Sequence, residues 1–175
     1  AAFAGLAAAL GLAVVLGLAA AFGFAGEASA QATVKEQDVK VRTLDGTCDA
    51  ALFSPATGRG PGVLFWPDAG GMRPAMRDMG RRLAGEGYVV LVVNPYYRTG
   101  AAPEIAALNN QVPEQAARRT AARAAITPDA TARDAVAFVR YLDGLSQTTN
   151  AKVGVQGYCM GGALSFRTAG AVPSR

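Results

Sequence analysis

Histidine is missing from all 175 residues, which removes the side chain that most often binds metals or moves protons near neutral pH. Cysteine occurs only as Cys48 and Cys159, in no metal-ligand spacing, so no metal site is expected. Two cysteines do not make a disulfide framework, and the lack of a C-x-x-C pair argues against a thiol redox protein. Export would make a Cys48–Cys159 bond chemically possible, but core packing is the expected role of Cys48. A phosphate-binding glycine loop is also lacking. The glycines of 157–162 have neither the third glycine nor the downstream ribose-binding acid of a dinucleotide fold, so cofactors are expected to be absent.

Charge is missing from the first 26 residues, which are mostly Ala, Leu, Gly, Phe and Val. As a helix this stretch would reach roughly 39 Å at about 1.5 Å per residue, enough to cross a bilayer. Ala28-Ser29-Ala30, followed by Gln31-Ala32, supplies the small-residue pattern of a signal-peptidase site. The expected division is therefore a secretory signal over 1–30 and one domain over 31–175, exported to the periplasm or beyond. An uncleaved anchor formed by residues 1–26 is the alternative, because the run is long for a signal core and no basic residues precede it. In either case membrane contact is expected only through this segment.

The whole chain carries 17 basic and 13 acidic residues; without Glu27 the acids number 12, a net charge of +5 for the domain. Arg118, Arg119 and Arg123 cluster in EQAARRTAARAA, where no aromatic residues interleave with them as a nucleic-acid surface would require. A solvated helix face is the expected reading, and no nucleic-acid partner is anticipated.

The rest of the chain alternates strands and helices. DVKVRTL (38–44) and CDAALFSP (48–55) flank the turn signal Asp45-Gly46 and predict a strand pair. GVLFWP (62–67) and GYVVLVVNP (87–95) are continuous apolar runs, the pattern of strands buried on both faces. Between them a helix is predicted from Pro74, with Met76, Met79 and Leu83 on its inner stripe and Gly85 and Gly87 at its end. A second helix starts at Thr127-Pro128, capped by Thr127, with Ala135, Val139 and Leu142 facing inward. Lys152–Gln156 is a further short strand. This order implies a mostly parallel sheet covered by helices on both faces, with any site beyond the strands' carboxyl ends. Residues 96–126 exceed a plain crossover and are a candidate lid over that edge.

The chemistry is carried by Gly157-Tyr158-Cys159-Met160-Gly161-Gly162, which fits G-x-[nucleophile]-x-G between a strand and a helix. Such a turn forces its central residue into a strained conformation and crowds the positions two away on either side, where only glycine fits. It would project the Cys159 sulfur at the start of a helix, whose free N–H groups and positive dipole end stabilise a thiolate or an oxyanion. A plain glycine-rich turn, with Cys159 as a small buried hydrophobe, is the competing reading.

A second segment gives the pattern a family. Asp68-Ala69-Gly70-Gly71, Met76-Arg77-Asp78, Ala84-Gly85-Glu86-Gly87-Tyr88 and GYCMGGALSF (157–166), together with Asp45-Gly46-Thr47 before a strand ending in Pro55, resemble the dienelactone hydrolase family in the right order. The resemblance covers roughly residues 36–170. It implies an α/β-hydrolase-like three-layer sandwich and hydrolysis of a small-molecule ester or lactone. It also implies Cys159 as nucleophile, the backbone N–H groups of Ala69 and Met160 as oxyanion donors, and Gly157 and Gly161 as the elbow glycines. Asp68 would be an acid that meets the resting thiol. The family is known for Glu there, and the alternatives for Asp68 are a cap of the helix near Pro74 or a solvated loop acid. Thiol chemistry in this fold also needs an orienting acid and a His after the nucleophile. The sequence has no His, and sixteen residues follow Cys159 (175 − 159). The expectation is an N-terminal portion of such a hydrolase, inactive as given, whose Asp and His lie further on. Genuine loss of catalysis is the rival, which would leave a membrane-anchored, non-catalytic binding domain.

Overall fold

The computed structural model describes residues 33–175. Expectations about residues 1–30, both signal and anchor, lie outside the described residues. No helix among those described is long and apolar enough to cross a membrane.

Two long strands open the domain, β1 (Val34–Thr43) and β2 (Gly46–Pro55). They pair antiparallel in register from Val34 opposite Pro55 to Thr43 opposite Gly46. Gly46 sits at φ +143°, a conformation that an L side chain resists and that closes this turn tightly. The pairing begins earlier than the apolar alternation suggests, because exposed Lys35–Asp38 complete the ladder with backbone bonds that need no apolar side chain.

β3 (Gly62–Trp66) and β4 (Val89–Val93) are buried along their whole length, as their unbroken apolar runs require. They pair parallel, and β5 (Gly154–Gly157) joins β3 on its other side, also parallel. The five described strands lie in the order β1-β2-β4-β3-β5. The runs at 62–67, 87–95 and 152–156 thus hold neighbouring parallel strands with β3 central, and β2 meets β4 antiparallel, so the five described strands form a mixed sheet.

Alternation along β3 and β4 sends side chains to two layers. Leu64, Trp66, Leu91 and Val93 pack with Phe138, Leu142 and Leu164 on one face. Val63, Phe65, Val90 and Val92 pack with Met72, Met76 and Ala84 on the other. The first face is covered by α4 (Pro128–Asp143) and α5 (Met160–Ala171), and the second by α1 (Pro74–Gly85). Two shorter helices, α2 (Ala102–Ala106) and α3 (Pro113–Ala124), form the segment between β4 and α4.

The start of α4 follows its sequence signal. Pro128 fills the first turn and the Thr127 hydroxyl accepts the Ala130 N–H at 3.1 Å. Thr127→Ala is expected to lower stability by about 1 kcal/mol, the usual worth of such a cap, read as a shift of the urea unfolding midpoint. An unchanged midpoint would mean that water replaces the cap without loss.

Candidate active site

β5 ends at Gly157 and α5 starts at Met160, so the chain reverses within two residues. Cys159, between them, has φ 52° and ψ −113° and is the sole non-glycine at positive φ among the described residues. Both flanking glycines are demanded by space. A Cβ on Gly157 would stand 2.6 Å from the Ser165 hydroxyl and closer still to the Gly161 carbonyl. One on Gly161 would stand 2.6 Å from the Pro67 carbonyl oxygen and overlap that of Trp66. Gly162 is different: its added Cβ would meet only the Gly157 oxygen, at 3.9 Å. The close approach of Gly161 to Trp66 and Pro67 seats the start of α5 against the end of β3. The loop that carries Asp68 and Ala69 leaves the sheet at that point.

The two cysteines contrast. Cys48 is fully buried, and burial pushes its thiol far above the ordinary value. Cys159 is exposed at the helix start, and neither forms a disulfide. Core packing thus describes Cys48 as expected, while the bland reading of Cys159 as a buried hydrophobe does not fit its exposure.

Among the described residues, the amides of Ala69 and Met160 have no acceptor within the protein, although the amides that follow them do. Gly70 donates to the Asp68 carboxylate at 2.8 Å, Gly71 to the Asp68 carbonyl at 3.0 Å and Gly161 to the Tyr158 carbonyl at 2.8 Å. One side chain ties the two stretches together. The Tyr96 hydroxyl donates to the Ala69 carbonyl at 2.9 Å and lies 3.5 Å from the Met160 sulfur.

Asp68 faces its own loop. Arg73 grips its carboxylate with two bonds of 2.5 and 2.8 Å, and the Gly70 N–H adds a third. Chiefly through Arg73, its carboxyl is held below the usual range. None of its hydrogen bonds goes to Cys159, and α1 begins at Arg73 without a side-chain cap. Asp68 is therefore neither the helix cap nor a free loop acid; it is an ionised brace for the turn that presents Ala69.

The segment 96–126 does pack over the sheet's carboxyl edge. Tyr96, Ile105 and Ala122 form a small core of their own, with Leu108, Ile126 and Met160 against it. Tyr96 is placed by Asn94, fully buried, whose side chain accepts the Tyr96 N–H at 2.9 Å and donates to Asp49 at 2.7 Å and to the Gly100 carbonyl at 3.0 Å. The arginine cluster is split. Arg123 is exposed and Arg118 pairs with Glu104 at the surface, as a solvated face predicts. Arg119 turns inward instead, donating to the carbonyls of Ala69 (3.3 Å), Ile105 (3.2 Å) and Leu108 (2.7 Å). No spacing in the sequence marks this, since Arg118 lies four residues from the same Ala122 and stays at the surface. Tyr96 and Asn94 carried no signal either.

A groove of about 610 Å³ opens beside the elbow, lined by Val155, Gly157, Gly162, Phe166 and Val172 among others. Phe166 is 85% exposed there, so the outer face of α5 is not packed by any described residue. No cluster of three or more His, Cys, Asp or Glu able to hold a metal occurs among the described residues.

Comparison with known proteins gives this geometry its relatives. Residues 48–174 match the sequence model of the Dienelactone hydrolase family. A carboxymethylenebutenolidase of a Pseudomonas species is 34% identical over 127 residues, 71% of this chain and 50% of the relative. That of Pseudomonas putida is 29% identical over 134 residues, 76% of this chain and 55% of its own. The chain thus spans about half the length of these curated relatives. Among solved structures, the hyperthermophilic esterase of Pyrobaculum calidifontis aligns with TM-score 0.55 at 24% identity, over 81% of this chain and 41% of that one.

Proposed function

The chain belongs to the dienelactone hydrolase family, and from that membership we propose that it is the elbow-bearing portion of a hydrolase cleaving an ester or lactone through Cys159. The observation that carries the proposal is the pairing of a strained, exposed Cys159 with two glycines that nothing larger can replace. Strain at a non-glycine residue persists where the surrounding structure enforces it, and such positions gather at reactive sites. The named activity of the Pseudomonas relatives supports the reaction class.

In this reading the Cys159 thiolate attacks the substrate carbonyl carbon, the C–S bond forms, and the carbonyl oxygen becomes an oxyanion. The free N–H groups of Ala69 and Met160 receive that charge, aided by the positive end of α5. The carbonyl then re-forms, the ester C–O bond breaks with its electron pair on the leaving oxygen, which takes a proton from water, and a thioester remains on Cys159. Asp68 belongs to the site as the ionised brace of the Ala69 turn. Water must next hydrolyse the thioester, and this step needs a base. No His exists in residues 1–175, so the base and its orienting acid are assigned to polypeptide beyond them, for which the groove beside Gly157 and Gly162 leaves room. Residues 1–30 are assigned to export, on the uncharged run and Ala28-Ser29-Ala30.

An activated ester such as p-nitrophenyl acetate separates the two halves of this chemistry. Residues 31–175 are expected to release about one equivalent of nitrophenolate and then stop, and Cys159→Ala is expected to abolish the release. Release retained in Cys159→Ala would remove the nucleophile assignment. Sustained turnover that disappears in Cys159→Ser would show that no base from elsewhere is needed.

A further inference from the structure

Two side chains from different parts of the chain converge on one atom, the carbonyl oxygen of Ala69. Tyr96 reaches it from the turn after β4 and Arg119 from the middle of α3. That carbonyl is a second point at which the loop is held, beside the Asp68 brace, whose carboxylate takes the Gly70 N–H and whose carbonyl takes the Gly71 N–H. The Ala69 amide has no protein acceptor among the described residues, and Gly70 and Gly71 follow it, the latter at φ +74° with the Tyr96 ring alongside. The Ala69–Gly70 peptide has glycine on one side, and the bonds to its carbonyl add to the Asp68 brace in limiting its rotation.

The arrangement at Arg119 is costly for a purely structural contact. Its guanidinium meets three carbonyls and no carboxylate, and its Nε is buried without a partner. An unpaired buried polar atom is unfavourable, and α3 is already seated by the fully buried Ala122. Tyr96 is 1% exposed. Burial pushes its phenol up, against the pull of Arg123 and Arg119, so it keeps its proton and donates at neutral pH.

We infer that Tyr96 and Arg119 are positioning residues of the oxyanion site, clamping the Ala69 carbonyl so that the Ala69 N–H stays directed at the reacting carbonyl oxygen beside Cys159. This rests on the nucleophile and oxyanion assignment proposed above. The segment 96–126 then contributes to the chemistry through α3 and the turn before α2, and not only as a cover. Tyr96 also touches the Met160 side chain, its hydroxyl 3.5 Å from the sulfur, while the Met160 N–H is placed by the elbow turn itself.

The test compares two reactions of the same thiol in residues 31–175. Acylation by p-nitrophenyl acetate passes through an oxyanion and expels nitrophenolate. Alkylation by iodoacetamide displaces iodide at a saturated carbon and forms none. The ratio of the two rate constants therefore reports the oxyanion site and cancels changes in thiol ionisation or access. Tyr96→Phe, which keeps the ring, and Arg119→Gln are each expected to lower the ratio about tenfold, the scale on which small misplacements act, with alkylation and the unfolding midpoint little changed. A ratio unchanged in both variants would overturn the positioning role while leaving the nucleophile in place. A wild-type ratio no higher than that of a short cysteine peptide would overturn the oxyanion assignment and the clamp with it. Should Arg119→Gln fail to fold, Tyr96→Phe carries the same test alone.

Discussion

Gly161→Ala is expected to destabilise the domain by about 3 kcal/mol, the upper part of the range for forcing a methyl into packed surroundings, and to abolish acylation of Cys159. The added carbon would overlap the Trp66 carbonyl and stand 2.6 Å from that of Pro67. These are backbone atoms, and β3 is locked between β4 and β5, so neither side can yield by rotating a side chain. The start of α5 must then lift from the strand end, carrying the Cys159 turn and the Met160 amide away from Ala69. Gly162→Ala is the control one residue on. Its added carbon has open space, with one neighbour at 3.9 Å, and Ala in place of Gly within a helix is worth roughly 0.5–1 kcal/mol. Urea unfolding of the two variants is expected to move in opposite directions. Equal midpoints would mean that the elbow does not depend on the close approach at Gly161.

Asp134→Ala is the second large effect, and it lies away from the elbow. The Asp134 side chain is 5% exposed and takes both guanidinium ends of Arg98, at 2.8 and 2.9 Å, with the Tyr97 hydroxyl at 2.7 Å. Arg98, 16% exposed, also reaches Asp45 at 2.6 Å, and Arg133 meets the same carboxylate at 2.9 Å. Burial by itself would lower the Arg98 pKa, but the bonds to Asp134 and Asp45 more than offset it, and the guanidinium stays charged. Removing one partner of a buried pair costs about 3–5 kcal/mol, mostly through the charge left behind. Asp45 remains to compensate part of this charge, so a loss of about 3 kcal/mol is expected. Asp134→Asn, which keeps hydrogen-bonding atoms, is expected to lose less. Denaturant unfolding checks both, and a loss below that of the Thr127 cap would show that water takes over the role of Asp134.

These two sites differ in how far the sequence revealed them. The elbow was legible because its constraints are local. A strand, two glycines and a helix start lie within a dozen residues, and each has its own residue signature. β3 and β4 were legible because burial on both faces leaves no polar position in the run. The Asp134 cluster joins the β1–β2 turn, the turn after β4 and α4, and no spacing within any one of them marks the meeting. Strand order has the same character: β4 lies between β2 and β3, an arrangement fixed by packing of distant segments. Arg119 was misread for a related reason, since an arginine in an Ala-rich amphipathic helix is normally solvated and only the fold brings three carbonyls to it. Asp68 sat where the family resemblance placed an acid, but which group it would face depended on Arg73, five residues on, and on the loop's turn.

Locating the acyl group tests the nucleophile assignment most directly. After one equivalent of p-nitrophenyl acetate has reacted with residues 31–175, peptide mapping by mass spectrometry is expected to find a single acetyl thioester on the peptide containing Cys159, with Cys48 unmodified. Acetyl found on Cys48, Tyr158 or a lysine, with Cys159 free, would contradict the assignment of Cys159 as the nucleophile.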